Sequence, residues 1–443
     1  MTRVLHISPA DYDGGANVGA YKLHKAVQAT GVESLMLVLR KYTNDPSVLT
    51  RSGKPSRPLD NLRDPLDRLP LRFYDWHPGN WFTVGWLPYD IKEAVDYLRP
   101  DIVQFHWAGR GAAPIRTIAQ LRHYPLVWTL RDMWPITGGC HYSGECFKFT
   151  SGCGECPQLG SNSRYDVSRW QWRQKHRHWQ GVPIQFVALS NWLADLARRS
   201  PLTFGNDVTV IPNGVDLERF KPIDRAAARA AWNLPPDRKI ILFGALHGAQ
   251  DPRKGFTYLA EALRKLGTSP WKDRVMAVVF GGQGSDEDYG FPIRFVGRLH
   301  DDVSLAMLYS CADVMVVPSV YENAAKTALE SLACGTPVVA FANTGQFDIV
   351  DHKVNGYLAE NLSSDDLAEG LAWCLERSGA GSELSLRARE KALRRFDIRK
   401  IAHRHLELYE QLLSTRRRDA ANTDMPLSPE AETPRRVAGQ SAP

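Results

Sequence analysis

The sequence predicts an α/β protein made of two doubly wound, Rossmann-like domains with parallel sheets. Three observations lead there. The chain has 443 residues, too many for one ordinary core and enough for two domains of roughly 200 residues each plus a tail. Short apolar runs alternate with helical patterns along it. Both halves open alike, with a strand, a glycine-bearing loop and a helix.

In the first half, residues 3–7 are apolar and β-prone. Asp13-Gly14-Gly15-Ala16 follows, and Tyr21, Leu23, His24 and Val27 begin a helical pattern. Runs at 35–39, 102–105, 126–130 and 186–189 continue the strand series, with His106 and Trp107 just after the second of these. Residues 43–90, rich in Pro, Arg and Asp, read as an irregular excursion, partly helical at best. Residues 208–211 and Pro212-Asn213-Gly214 read as a last strand and a hinge.

The second half has strands at 239–243, 275–280, 293–296, 314–317 and 338–341. A loop over 244–255 leads to a helix over 256–266 whose apolar face is Leu259, Ala262, Leu263 and Leu266. A second helix, 324–334, is closed by Gly335 with Pro337 beyond. Residues 398–414 form a final amphipathic helix with Ile401, His405, Leu406, Tyr409 and Leu412 on one side. The expected organisation is a first domain over 1–212 that also receives helix 398–414, a second over 213–397, and a disordered tail over 415–443.

Apolar residues make up 43 % and charged residues 23 %, an ordinary soluble composition. The net charge of +6 suits an anionic small ligand or an anionic membrane surface, and is too weak to argue for nucleic acid. No run approaches the ~18 apolar residues of a membrane-spanning helix. The first apolar run is too short for a signal peptide, so the expected location is the cytoplasm. Seven cysteines, an odd count in such a chain, argue against a disulfide framework.

The segment from Tyr321 to Glu330 follows one buried strand and opens a helix. Free N–H groups at a helix start attract phosphate. Ala324 and Ala325 let a ligand approach the backbone, and Thr327 adds a hydroxyl. Glu330 lies two turns on, where a carboxylate can take the hydroxyls of a ribose, and Glu322 just before the helix can take those of a sugar. A nucleotide sugar has that layout. Taken alone, the pair fits an exposed cap and a solvated helix residue equally well. Arg253 and Lys254, at the mouth of another strand–helix unit, supply a fork and a point charge for a diphosphate; an isolated Arg-Lys pair would otherwise read as a solvated basic loop.

Here the chain resembles a known family. PSVYENAAKTALESLACGTPVVAFANTG (318–345) is similar to the donor-binding signature of glycosyltransferase family 4, with the E-x7-E spacing of Glu322 and Glu330. The loop ending Arg253-Lys254-Gly255, the hinge VIPNGVDLERFKP (210–222) and the first glycine loop ISPADYDGGANVGAYKLHKAV (7–27) resemble the same family. The resemblance implies the GT-B fold, a UDP- or GDP-sugar donor, a saccharide or lipid-linked saccharide acceptor, a retaining outcome and no catalytic metal. It assigns Glu330 to ribose, Glu322 to the transferred sugar, and Arg253 with Lys254 to the diphosphate. Thr327, Ala324 and Ala325 would serve phosphate and sugar. His106 would stand near the reacting sugar, with a core role equally open to it, and Gly14 and Gly15 would close over the donor. Surface polysaccharide synthesis, with peripheral contact at the inner membrane face, is the setting implied. The chain departs from the family at Ala324-Ala325-Lys326, where other members carry Leu-Pro or Phe-Gly, and it lacks an arginine directly after Gly244, a role open to Arg253.

Cys140, Cys146, Cys153 and Cys156 fall in one glycine-rich stretch. Four thiolates there fit a structural zinc, with an iron–sulfur cluster less suited and free or paired thiols as the plain alternative. Cys311, Cys334 and Cys374 read as core. RWQWRQKHRHW (169–179) reads as a helix with tryptophans inward and cations to water, or as a contact for anionic lipid. Asp11 and Asp13, and Asp286, Glu287 and Asp288, read as loop acids. The competing readings are a nucleotide-sugar epimerase or phosphorylase, a zinc-bearing binding module, and a dehydrogenase. The last lacks the G-x-G-x-x-G fingerprint after both first strands.

Overall fold

In the computed structural model the described residues are 2–51, 58–77, 79–88, 91–107, 109, 114–244, 251–282 and 288–423, with the side chains of 58–61 and 419–423 excepted. The first domain is a seven-stranded sheet: β1 (Arg3–Ala10), β2 (Glu33–Arg40), β3 (Val48–Thr50), β4 (Ile102–Phe105), β5 (Leu126–Leu130), β6 (Ile184–Ala188) and β7 (Val208–Val210). The second holds β8 (Lys239–Gly244), β9 (Val275–Phe280), β10 (Ile293–Phe295), β11 (Val314–Val317), β12 (Val338–Phe341) and β13 (Gly356–Ala359). The strand orders are β3-β2-β1-β4-β5-β6-β7 and β10-β9-β8-β11-β12-β13, and all pairs are parallel. Both are doubly wound orders whose direction reverses beside the first strand, and ligands bind at the carboxyl ends of strands there.

Residues of β4, β5, β6, β11 and β12 are buried throughout, because helices cover both faces of a parallel sheet. Each domain has its own core. Leu5, Val103, Trp128 and Phe186 centre the first, and Leu242, Val278, Met315 and Leu332 lie in the second.

Asp313, directly before β11, accepts from Arg225 and Arg229 (both 2.7 Å), from Lys239 (3.4 Å) and from the Ile240 N–H (2.8 Å). It ties the helix Arg225–Ala231 to the sheet.

The chain crosses between domains twice, side by side. Val215 pairs in parallel with Asp397. Gly214 passes so close that a Cβ on it would lie 2.6 Å from the Ile398 Cα. The last helix then returns to the first sheet, where Ile401, Ala402, Leu408 and Tyr409 pack on Val4, Leu23, Val127 and Val187.

Three sequence readings need correction. The excursion over 43–90 is not wholly outside the sheet, because Val48–Thr50 pairs with β2 as its edge strand. The last helix runs Ile398–Thr423, so the expected tail begins as helix; residues 424–443 lie outside the described residues. The helix Val167–Trp179 turns a cation inward as well as Trp179: the buried Lys175 ammonium bonds the carbonyls of Trp134 and Thr137 (3.0 Å to the latter) and sits 3.5 Å from the Trp134 ring centre. These carbonyls, from the short turn Trp134–Ile136 and the residue after it, give the ammonium partners that water would otherwise supply.

Candidate active site

The second domain's share of the candidate site is built at the carboxyl ends of β8 and β11. After β8 the chain re-enters the described residues at Asp251 and makes a short turn, Pro252–Lys254, that Gly255 ends at φ 66°. Gly255 lies against β11's exit: a Cβ on it would stand 1.8 Å from the Pro318 carbonyl oxygen. The Arg253 carbonyl accepts from the Val320 N–H at 2.8 Å. This backbone contact brings the basic turn to the segment carrying Glu322. Gly255→Ala is expected to push the two apart, raising the donor KM at least about tenfold and costing on the order of 1–3 kcal/mol of stability. Donor-dependence kinetics with a denaturant melt check it.

Lys254 Nζ stands 2.6 Å from Glu322 Oε2, and Arg253 Nη2 donates to Asp251 at 2.7 Å. The Arg253 guanidinium lies 4.8 Å from the ring centre of Tyr142. Burial opposes the Arg253 charge, but Tyr142, Asp251 and Glu322 outweigh it and raise its pKa. The helix Lys326–Ala333 starts at Ala325 with no side-chain cap, so its first N–H groups are open to an anion. Ala324 and Thr327 at this start remain partly exposed. Glu330 is 5 % exposed. Tyr309 donates to its Oε2 at 3.1 Å, and Lys326 and Lys22 stand 3.5 and 3.9 Å from its Oε1. Burial, then Glu330's charge, pushes the Tyr309 hydroxyl up, so it stays protonated to donate.

The first domain supplies the opposite wall. Gly14, at φ 92°, turns the chain from β1 into the helix Gly15–Gln28. Gly15 faces the start of the helix Lys326–Ala333, where a Cβ on it would lie 4.0 Å from Lys326 Cδ. Lys22 on the same helix reaches Asp302 at 3.0 Å, and the Tyr12 hydroxyl donates to the His300 carbonyl at 3.0 Å. Asn323 pegs the domains together. Its amide donates to the carbonyls of Leu130 (3.0 Å) and Arg131 (3.3 Å), and its oxygen accepts from Ser190 at 2.7 Å.

His106, at the end of β4, is 1 % exposed. Its Nε2 is 3.0 Å from His6 Nδ1, and Arg131 Nη2 is 3.4 Å from its Nδ1. Arg131 can only donate, so His106 accepts at Nδ1 and donates from Nε2. Its ring is engaged on both sides, by His6 and by Arg131. Burial pulls Arg131 down to about 9. A Cβ on Gly19 would stand 2.5 Å from its Nη1, which donates to Asn213 Oδ1 at 2.9 Å, while Nη2 faces His106.

Burial also lowers the pKa values of His6 and His106, with Arg131 and the neighbouring imidazoles adding to it, and brings His24 to about 4 and His405 to about 3. These groups fold neutral. Below about pH 6.5 the unfolded chain takes up protons that the folded chain refuses, so each costs about 1.4 kcal/mol per pH unit until its folded pKa is reached. The melting temperature is expected to fall steeply between pH 7 and pH 4.5; a flat profile would contradict neutral burial.

The structure therefore brings Arg253, Lys254, Glu322, Ala324, Ala325, Thr327 and Glu330 to one rim, with Gly14 and Gly15 facing it. His106 sits behind. Lys22, Tyr142, Tyr309, Arg131 and Asn323 join the site without having been singled out. Asn323 lies inside the quoted signature, and Tyr142 between Cys140 and Cys146 of the Cys-rich stretch, but only the fold shows what they touch. Asp11 is a loop acid holding Tyr42 and Thr43 N–H groups (2.8 and 2.9 Å), and Asp288 bonds the Gly290 N–H (2.8 Å). Asp286, Glu287 and the residues directly after Gly244 lie outside the described residues. Cys311, Cys334 and Cys374 are core residues. Among the described residues, no three His, Cys, Asp or Glu side chains are drawn together as a metal's ligands are.

Two family models divide the chain between them: Glycosyltransferase Family 4 matches residues 13–219, and Glycosyl transferases group 1 matches 237–377. The chain belongs to glycosyltransferase family 4. The match to the second domain starts just before β8 and ends after β13, so it contains the basic turn and both glutamates. A relative, the D-inositol 3-phosphate glycosyltransferase of Saccharomonospora viridis, is 34 % identical over 222 residues, which is 47 % of this chain and 51 % of that protein. This family 4 chain thus spans about half the length of the curated relatives it matches. Among solved structures, sucrose-phosphate synthase from Thermosynechococcus elongatus superposes with a TM-score of 0.66 at 22 % identity, covering 94 % of this chain and all of that one. Anabaena HepE, in complex with UDP-glucose, gives 0.61 at 18 % identity, covering 93 % of this chain and all of that one. These likenesses show that the fold is GT-B.

Proposed function

We propose that the chain is a retaining glycosyltransferase that moves a sugar from a UDP- or GDP-sugar to a saccharide or lipid-linked saccharide acceptor in surface polysaccharide synthesis. The observation that carries this reading is the Lys254–Glu322 pair beside an uncapped helix start, with Glu330 buried two turns along. Phosphate oxygens presented to Lys254 and sugar hydroxyls presented to Glu322 replace that pair contact for contact, so neither charge is left bare. Glu330 meets the ribose diol as its lysine neighbours give way. HepE's complex with UDP-glucose supports a donor of this class.

As the sugar–phosphate bond breaks, positive charge grows on the sugar and negative charge on the departing diphosphate. Arg253, Lys254 and the helix N–H groups stabilise the latter. The acceptor approaches from the first domain, on the side of the Gly14–Gly15 loop. The leaving phosphate takes its proton, attack coming from the same face. Closure about the crossing at Val215 and Asp397 excludes water and limits donor hydrolysis. No catalytic metal enters this scheme. For a lipid-linked acceptor, the exposed Trp170, Arg173 and Arg177 of the helix Val167–Trp179 would meet an anionic membrane face. Among the described residues no helix is long and apolar enough to cross a membrane.

The test is a thermal-shift screen of UDP-, GDP- and ADP-sugars, followed by assay of nucleoside diphosphate release with and without saccharide acceptors. Stabilisation by one nucleotide class and acceptor-dependent release are expected. Turnover of a nucleotide sugar alone, without release of the diphosphate, would instead mark an epimerase.

A further inference from the structure

We propose that Cys140, Cys146, Cys153 and Cys156 form a structural site for one thiophilic divalent cation of the zinc class, which clamps the loop over 138–160 and thereby holds Tyr142 in the donor wall. All four cysteines line a single cavity of about 20 Å³, walled by Phe82, Phe149 and Gly138, and none is in a disulfide. That is room for one water-sized sphere. The walls offer it little besides sulfur: Ser143 and Ser168 are the neutral polar side chains among them, and Lys148 is engaged with Glu155.

The backbone is bent to present these thiols. Gly152, Cys153, Gly154 and Glu155 have successive positive φ of 115°, 57°, 101° and 46°. For the two non-glycine residues this conformation costs about 1–2 kcal/mol each. Such strain persists where the surroundings over-determine it. The turn is held by Cys153 N–H to the Lys148 carbonyl (2.9 Å), Gly154 N–H to Ser168 (3.0 Å) and Cys156 N–H to Asp166 (2.8 Å). Gly138 passes so close that a Cβ on it would lie 2.9 Å from Cys153 Sγ. Elsewhere the loop is fixed to the first domain by a bridge from Cys140 to Phe82, by a small cluster of Leu71, Phe82, Val84, Cys156 and Leu159, and by Phe149, which packs into the main core.

Four thiolates with no open position make a closed, tetrahedral structural site. The side chains surround the cavity without being drawn in as ligands, so binding requires rotation about their Cα–Cβ bonds as one cation displaces up to four thiol protons to solvent. The loop's other end explains the use. Tyr142, two residues from Cys140, packs on Arg253, with the Asn323 N–H facing its hydroxyl, while Gln158 holds the Tyr142 carbonyl. The cation thus acts as a positioning device and touches no substrate.

Elemental analysis of the full chain, purified reduced and without chelator, tests this. About one zinc per chain is expected, falling at least about tenfold in Cys153→Ser and Cys156→Ser. Because loss of fold in those variants would give the same reading, the unmodified chain is also stripped by chelator under reduction and titrated with Co²⁺. One equivalent should develop thiolate-to-cobalt charge transfer and tetrahedral ligand-field bands, and slow the reaction of the four thiols with a disulfide reagent. Metal-free protein that takes up neither Zn²⁺ nor Co²⁺, or iron with sulfide absorbance, would overturn the assignment. Stoichiometry is read without any sugar transfer, so this inference and the proposed function fail separately.

Discussion

Lys254→Ala is expected to lower kcat by about 10²–10³-fold, the usual loss when one fixed stabiliser of developing negative charge is removed. Lys254 is held by a turn whose end, Gly255, is pressed on the Pro318 carbonyl, so its charge is fixed before the reaction starts. It stands 2.6 Å from Glu322, and its loss also frees the carboxylate assigned to the transferred sugar. The ammonium is partly exposed, so water can solvate Glu322 in the variant and the melting temperature should move by only a few degrees. Lys254→Arg keeps the charge but spreads it over a fork, and should recover part of the rate. Steady-state kinetics beside a thermal melt separate these effects. A rate within about threefold of the parent in Lys254→Ala would remove it from the diphosphate site.

Asp313→Ala is expected to cost about 3–5 kcal/mol of stability, because it leaves buried cations unpaired. Asp313 is 1 % exposed, and the Arg229 side chain 9 %. Arg229 also donates to the Cys311 and Pro236 carbonyls, so it cannot swing out to water without breaking those bonds. Lys239 and Arg225 reach the surface more readily and would relax at lower cost. The network lies at the amino end of β11, away from the substrate face, so the loss should appear as a lower denaturant midpoint, with donor KM unchanged where the protein remains folded. Asp313→Asn, which keeps the shape and loses the charge, should fall between. A midpoint unchanged in the alanine variant would mean that the cations find water.

The alternation of strands and helices was legible because parallel strands buried on both faces are nearly pure apolar runs, as in β5 and β12. The edge strand Val48–Thr50 was not, since three residues carry no period. The E-x7-E spacing and the Arg253-Lys254 pair were legible because a turn and a helix start are local. What they touch was not. Asn323 meets Leu130, Lys22 meets Asp302 and Tyr142 meets Arg253 only after two domains close on one another. Lys175 misled for a related reason: its helix is basic, and the carbonyls that accept its ammonium come from Trp134 and Thr137, far off in sequence. The histidine at 106 could be read as near the site, but its engagement with His6 and Arg131 depends on strands that pair across a hundred residues.

Calorimetric titration of UDP and of GDP into the full chain and into Glu330→Ala is the most direct measurement of whether the second domain's rim grips a nucleoside diphosphate. The expected result is one site for one of the two nucleotides, weakened at least about tenfold, or ~1.4 kcal/mol, in the variant. Equal affinity in both proteins, or no binding of either nucleotide by the parent chain, would contradict it.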